Sequence, residues 1–108
     1  MGSIKPYAYS HNLKGAQVKP LSNDGRKVSV FYNGPLAQSA GGQVYLHCGS
    51  GDTNNWSSVS DFPMEHRSNG WELSVGLKTG NSLNFCFRDS HGNWDNNNGA
   101  NWLYRITE

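Results

Sequence analysis

The stretch Lys27-Val28-Ser29-Val30-Phe31-Tyr32, closed by Asn33-Gly34-Pro35, decides the reading of this chain. Val28, Val30 and Tyr32 recur at every second position while Ser29 and Phe31 fall between them. A period of two places the first set on one face of an extended strand and the second set on the other. The Asn-Gly-Pro turn then ends the strand.

Working outward, the same period returns several times. Gln43 to Cys48 alternates, with Val44, Leu46 and Cys48 facing one way and Tyr45 and His47 the other. Trp71, Leu73, Val75 and Leu77 alternate with Glu72, Ser74 and Gly76. After a Thr79-Gly80-Asn81 turn, Leu83, Phe85 and Phe87 do the same, so this pair reads as a hairpin. Trp102, Tyr104 and Ile106 alternate near the C-terminal end, and a short strand is expected around Met64 to His66. About seven strands with turn signals roughly every ten residues point to an all-β sandwich. Residues 1–27 carry Pro6, Gly15, Pro20 and Gly25 with little periodicity, and read as a loop-rich segment with room for one short strand before a sandwich core over 28–107. No helical periodicity of useful length is present.

Composition agrees. With 108 residues the chain is one domain, and 13 Gly, four Trp and five Tyr beside only 35% hydrophobic residues suit short strands and turns better than packed helices. A formal charge of +1 gives no footprint for a polyanion, so no nucleic-acid partner is expected. No apolar run approaches the roughly 18 residues of a spanning helix, so no membrane partner is expected either. Met1-Gly2-Ser3 reads as an expression scar and the chain as an excised module whose secretion signal lies elsewhere in its parent.

Cys48 falls on the inward face with Val44 and Leu46, whereas Cys86 alternates with Asn84 and Arg88, away from Phe85 and Phe87. A bridge between them needs a bulge or a shifted register, and two free thiols are the favoured expectation. The eight acidic residues are scattered, without the paired carboxylates that glycoside hydrolysis needs, so the chain reads as not an enzyme. His47, Cys48, Cys86 and His91 lack metal-ligand spacing, and neither a metal nor any other cofactor is expected.

Two tryptophans stand outside these patterns. Trp56 is the only apolar side chain between Cys48 and Val59, and Trp94 is alone between Phe87 and Ala100 in a run, Asn93 to Asn101, where five of nine residues are Asn. Both stretches read as polar loops, and each indole either folds back to cap an end of the sandwich or lies exposed. An indole among amides and carboxylates suits a sugar, because the ring takes the C–H face of a pyranose while the polar groups take its hydroxyls. Asp95, Asn96 and Asn98 are the nearest polar partners for Trp94, although Asn-rich turns also engage their side chains with their own backbone. Asn55-Trp56-Ser57 is formally a glycosylation acceptor, expected to be unmodified because a glycan there would sit beside the indole.

Val44-Tyr45-Leu46-His47, Asn54-Asn55-Trp56, Gly70-Trp71, Leu83 to Asp89 and above all Gly92-Asn93-Trp94-Asp95-Asn96-Asn97-Asn98-Gly99-Ala100-Asn101-Trp102 occur in one unbroken order. Together they resemble the starch-binding carbohydrate-binding modules of family 25 and their relatives in families 26 and 53. The resemblance implies an immunoglobulin-like β-sandwich, secreted and covalently linked to an amylase-type catalytic domain. Its ligand would be α-1,4-glucan: starch, glycogen or a malto-oligosaccharide. It also implies a curved aromatic platform of two tryptophans and a histidine, which here would be Trp56, Trp94 and His47. The isolated module is expected to be a monomer. The rival reading is an immunoglobulin-like adaptor that anchors a protein partner on its exposed tryptophans.

Overall fold

The structure is a computed structural model that describes residues 5–8, 15–38, 42–52, 54–77, 82–97 and 99–107. Among the described residues, ten strands and one helical turn follow in the order β1 (Lys5–Ala8), β2 (Ala16–Pro20), β3 (Lys27–Tyr32), α1 (Pro35–Gln38), β4 (Val44–Asp52), β5 (Asn55–Pro63), β6 (Glu65–Arg67), β7 (Gly70–Gly76), β8 (Ser82–Asp89), β9 (Trp94–Asp95) and β10 (Trp102–Thr107). One sheet runs β2-β3-β7-β6 and the other β1-β10-β8-β4-β5, with β9 added beside β8. All pairings are antiparallel. This is the strand order of an immunoglobulin-like sandwich, as the alternating runs led us to expect.

The inner faces meet as the period-two patterns require. Val28, Val30 and Tyr32 from β3 pack against Val44 and Leu46 from β4, Phe85 and Phe87 from β8, and Trp102, Tyr104 and Ile106 from β10. Phe85, Phe87 and Trp102 form an aromatic cluster with ring centroids 5.2–6.1 Å apart. Trp71, Leu73 and Val75 lie on the same inner face and are partly buried against this core.

Three sequence expectations are corrected. The described part of residues 1–27 holds two paired strands where one short strand was expected: β1 pairs with β10 and β2 with β3. Both are edge strands; β2 alternates over only five residues, Ala16 to Pro20, with Ala16 its single fully buried side chain, too short a run to stand out among the flanking Gly and Pro. The expected hairpin of β7 and β8 does not exist, because β7 pairs with β3 and β6 while β8 pairs with β10, β4 and β9. Two well-alternating strands joined by a turn look alike whether they pair or face each other across the core. Finally, the stretch around Trp56 is not a loop: β4 continues to Asp52 and β5 begins at Asn55.

The cysteines are both free and buried. In the register, Cys48 lies opposite Phe85 and Cys86 opposite His47, so the two thiols face opposite sides of the sheet.

Candidate functional site

The outer face of the β5-β4-β8 sheet carries the site. Directly opposed residues in an antiparallel pair share a face, which groups Asp61, His47 and Cys86 in one row and Pro63, Tyr45, Arg88 and Trp94 in the next. His47 lies between the two unexplained tryptophans. Its ring centroid is 5.8 Å from that of Trp56, tilted by 36°, and 5.0 Å from that of Trp94, nearly perpendicular at 87°. Trp94 is 52% exposed. Trp56 is half-buried against the core.

A bulge brings Trp56 to this face. Between Cys48↔Ser60 and Ser50↔Ser57 the β4–β5 register shifts, so Ser58 and Val59 together oppose Gly49. One extra residue reverses the in-out parity of a strand. Asp61 and Trp56 are five positions apart and would face opposite sides of a regular strand, yet here both face outward beside His47 and Gly51. Ser58 absorbs the distortion with a left-handed backbone, φ 53°. Gly49 admits it: a Cβ there would stand 3.0 Å from Trp56 Cβ, 3.0 Å from the Ser57 carbonyl oxygen and 3.1 Å from Val59 Cγ2. Asn84, buried on the same sheet face, donates from Nδ2 to the Gly51 carbonyl at 3.1 Å and pins the end of β4.

Trp94 is placed by the loop on either side of it. The fully buried Asp89 accepts from the backbone N–H groups of His91 and Asn93 at 2.9 Å each and from Asn93 Nδ2 at 3.0 Å. These bonds, led by the Asn93 side chain, hold its carboxyl below the usual range. The chain then forms the two-residue strand β9, and Asp95 turns inward. Asp95 Oδ2 accepts from the Tyr32 hydroxyl at 2.6 Å and Oδ1 from the Asn97 N–H at 3.2 Å. Left-handed Asn97, Gly99 and Asn101 close the turn, with φ between 57° and 91°. Asn96 Oδ1 accepts from the Gly99 N–H at 3.0 Å. The Asn96 side chain is exposed and its Nδ2 has no protein partner among the described residues. Asn98, the remaining polar candidate, lies outside the described residues.

Sequence reasoning missed the charged group at the centre of this face. Asp61, opposite His47 on β5, accepts from His47 Nδ1 at 2.5 Å through Oδ1 and from Arg88 Nε at 3.2 Å through Oδ2. Burial pushes the Asp61 carboxyl up, but the bonds and charges of His47 and Arg88 outweigh it and hold the group below its ordinary value. The Arg88 guanidinium in turn lies over the Tyr45 ring, 4.2 Å from its centroid. No local signal in the sequence marks Asp61, because its role depends on which strand lies beside β4.

Among the described residues, no group of three His, Cys, Asp or Glu side chains is arranged to hold a metal ion. The arrangement offers two indole faces and an imidazole on an open surface, fringed by amides and one fixed ion-pair network.

An α-amylase of Clostridium acetobutylicum is 37% identical over 93 residues, a match that covers 84% of this chain and 12% of the amylase. In fold, the chain is similar to the crystal structure of the Br derivative of BhCBM56, with a TM-score of 0.54 at 18% identity over 93% of this chain and 98% of that one. A family model for a starch/carbohydrate-binding module, family 53, matches residues 28–85, a segment that holds His47, Asp61 and Trp56. The match thus falls on family 53, a relative of the family 25 modules that the motifs resemble, and the chain belongs to the starch/carbohydrate-binding modules of family 53.

Proposed function

We propose that this module binds α-1,4-glucan through a platform of His47, Trp56 and Trp94, without catalysis, and thereby holds a covalently linked amylase-type enzyme on its substrate. The observation that carries this reading is the position of His47 between two indoles on one open sheet face, 5.8 and 5.0 Å away. The rings differ in tilt by 36° and 87° from the imidazole, so the surface is not planar. A surface that turns suits a glucan whose successive rings turn, whereas flat chains suit coplanar aromatic rows.

The energetics fit a module that works by attachment. If each stack removes about 100 Å² of apolar surface from water, it contributes about 2.5 kcal/mol. Two stacks, less the cost of immobilisation, correspond to dissociation constants from about micromolar to millimolar. Such weak binding becomes useful on a polymer or when tethered to a catalytic domain, where local concentration multiplies it. The relationship to part of an α-amylase supports that tether and a secreted parent protein. The isolated module acts as a monomer. Asn96 Nδ2 supplies a hydroxyl contact beside Trp94, a role that Asn98 shares on the ground of its place in the sequence, while Asp95 acts chiefly by anchoring Trp94 to the core.

The test is a pull-down on insoluble starch beside cellulose, using the parent and the Trp56→Ala and Trp94→Ala variants with folding checked by circular dichroism. Binding to starch alone, lost in folded variants, is expected. A folded parent that ignores starch overturns the reading and leaves the protein-binding adaptor in its place.

A further inference from the structure

We infer that Asp61 is a positioning residue for glucan binding, acting through His47; the inference rests on the glucan-binding reading above. A carboxylate only accepts hydrogen bonds, so the contact from His47 Nδ1 to Asp61 Oδ1 at 2.5 Å requires the hydrogen on Nδ1. Neutral His47 is therefore the Nδ1–H tautomer, with its Nε2 lone pair unengaged by any protein group among the described residues. Nε2 thus stands as a hydrogen-bond acceptor for a sugar hydroxyl between the two indoles.

Asp61 is itself held from the other side. Arg88 Nε occupies Oδ2 at 3.2 Å, and the guanidinium is seated on Tyr45. With both oxygens engaged, the carboxylate has little freedom to turn away from His47. Three adjacent strands supply the parts: Asp61 from β5, His47 and Tyr45 from β4, and Arg88 from β8. The tautomer and the ring plane of His47 are thus fixed before ligand arrives, which lowers the ordering cost of binding.

The experiment combines a ligand-free and a ligand-binding readout. Long-range proton–nitrogen NMR of the free parent is expected to show His47 protonated at Nδ1, and Asp61→Ala is expected to release that preference. An unchanged tautomer in Asp61→Ala overturns the inference. Titration with maltoheptaose is expected to show Asp61→Ala binding about fivefold to tenfold more weakly, with part recovered in Asp61→Asn, whose amide oxygen still accepts. In a His47→Phe background the same Asp61→Ala change should alter Kd by less than about twofold. Parent-like affinity of Asp61→Ala, or a loss of equal size in the His47→Phe background, overturns the inference. If the parent itself fails to bind maltoheptaose, the glucan reading falls, and the tautomer measurement alone judges what Asp61 does to His47.

Discussion

The Tyr32 hydroxyl donates to Asp95 Oδ2 at 2.6 Å and ties the residue beside Trp94 to the centre of the sandwich. Tyr32 is fully buried, stacks on Phe87 at 4.0 Å between centroids, and accepts from the Leu36 N–H at 3.1 Å. Burial, with the bond to Asp95, pushes its phenol far above the ordinary range, so it stays protonated and remains a donor. Tyr32→Phe keeps the ring but removes the donor to Asp95 Oδ2 and the acceptor for the Leu36 N–H. A loss of about 1–3 kcal/mol is expected, measured as a lower urea midpoint at unchanged slope. Glucan binding should also weaken, because the anchor of Trp94 has loosened.

The two thiols are predicted to be inert in the folded protein. Burial pushes Cys48 up to about 11 and Cys86 up to about 12, and the charge of Asp61 adds to both. The thiolate is the reactive form, so at pH 8 a disulfide reagent such as Ellman's should detect almost no thiol in the native protein. It should titrate both after denaturation. Rapid modification of the native protein would mean that the sheet opens around Cys48 or Cys86 far more readily than their burial implies.

The legibility of this chain follows its burial. Strands β3, β4, β8 and β10 stood out because one face of each is packed, so Val28, Leu46, Phe85 and Tyr104 recur at every second place. Strand β5 was invisible for the opposite reason: it is an edge strand on which Ser57, Ser58, Val59, Asp61 and Phe62 are all exposed. Trp56 was legible as an oddity, but its direction was not. That direction depends on a bulge against Gly49, and a bulge is defined only by the partner strand. His47 could be placed outward from its own strand alone, whereas Asp61 required knowing that β5 lies against β4. Sequence periodicity reports faces; it does not report neighbours.

Acid should destabilise the fold from below about pH 4, near the ordinary carboxylate range. Asp61 and Asp89 both have folded values lowered from 3.8, for the reasons given above. A depressed folded value means that the unfolded chain binds protons first as pH falls. The stability from these groups is present above the unfolded value and is lost as pH drops through the folded one. Urea midpoints should therefore be flat between about pH 7 and 5 and then fall. Asp89→Asn should lower the midpoint at pH 7, since its amide oxygen can still accept from the N–H groups of His91 and Asn93 but its NH2 would face the Asn93 Nδ2 donor, and should flatten the acid limb. A steep acid limb that survives both Asp89→Asn and Asp61→Asn would assign the loss to other carboxylates.

Gly49 offers the sharpest separation of platform from fold. It needs no left-handed backbone; it needs space, because Trp56 Cβ and the Ser57 carbonyl crowd the point where its Cβ would stand. Those neighbours belong to the bulge that turns Trp56 outward. Gly49→Ala forces them apart by a few tenths of an ångström, and Gly49→Val by more, with a stability cost of about 1–3 kcal/mol for the larger change. Binding of maltoheptaose should fall in that order while the domain remains folded. The Trp94 side of the platform should be undisturbed, so Trp94→Ala should cause a similar fold-loss in the parent and in Gly49→Ala. If Gly49→Val binds as tightly as the parent, Trp56 does not need this bulge to reach the sugar. If Gly49→Val unfolds, Gly49→Ala carries the test, since its smaller clash can be met by shifts of the bulge alone.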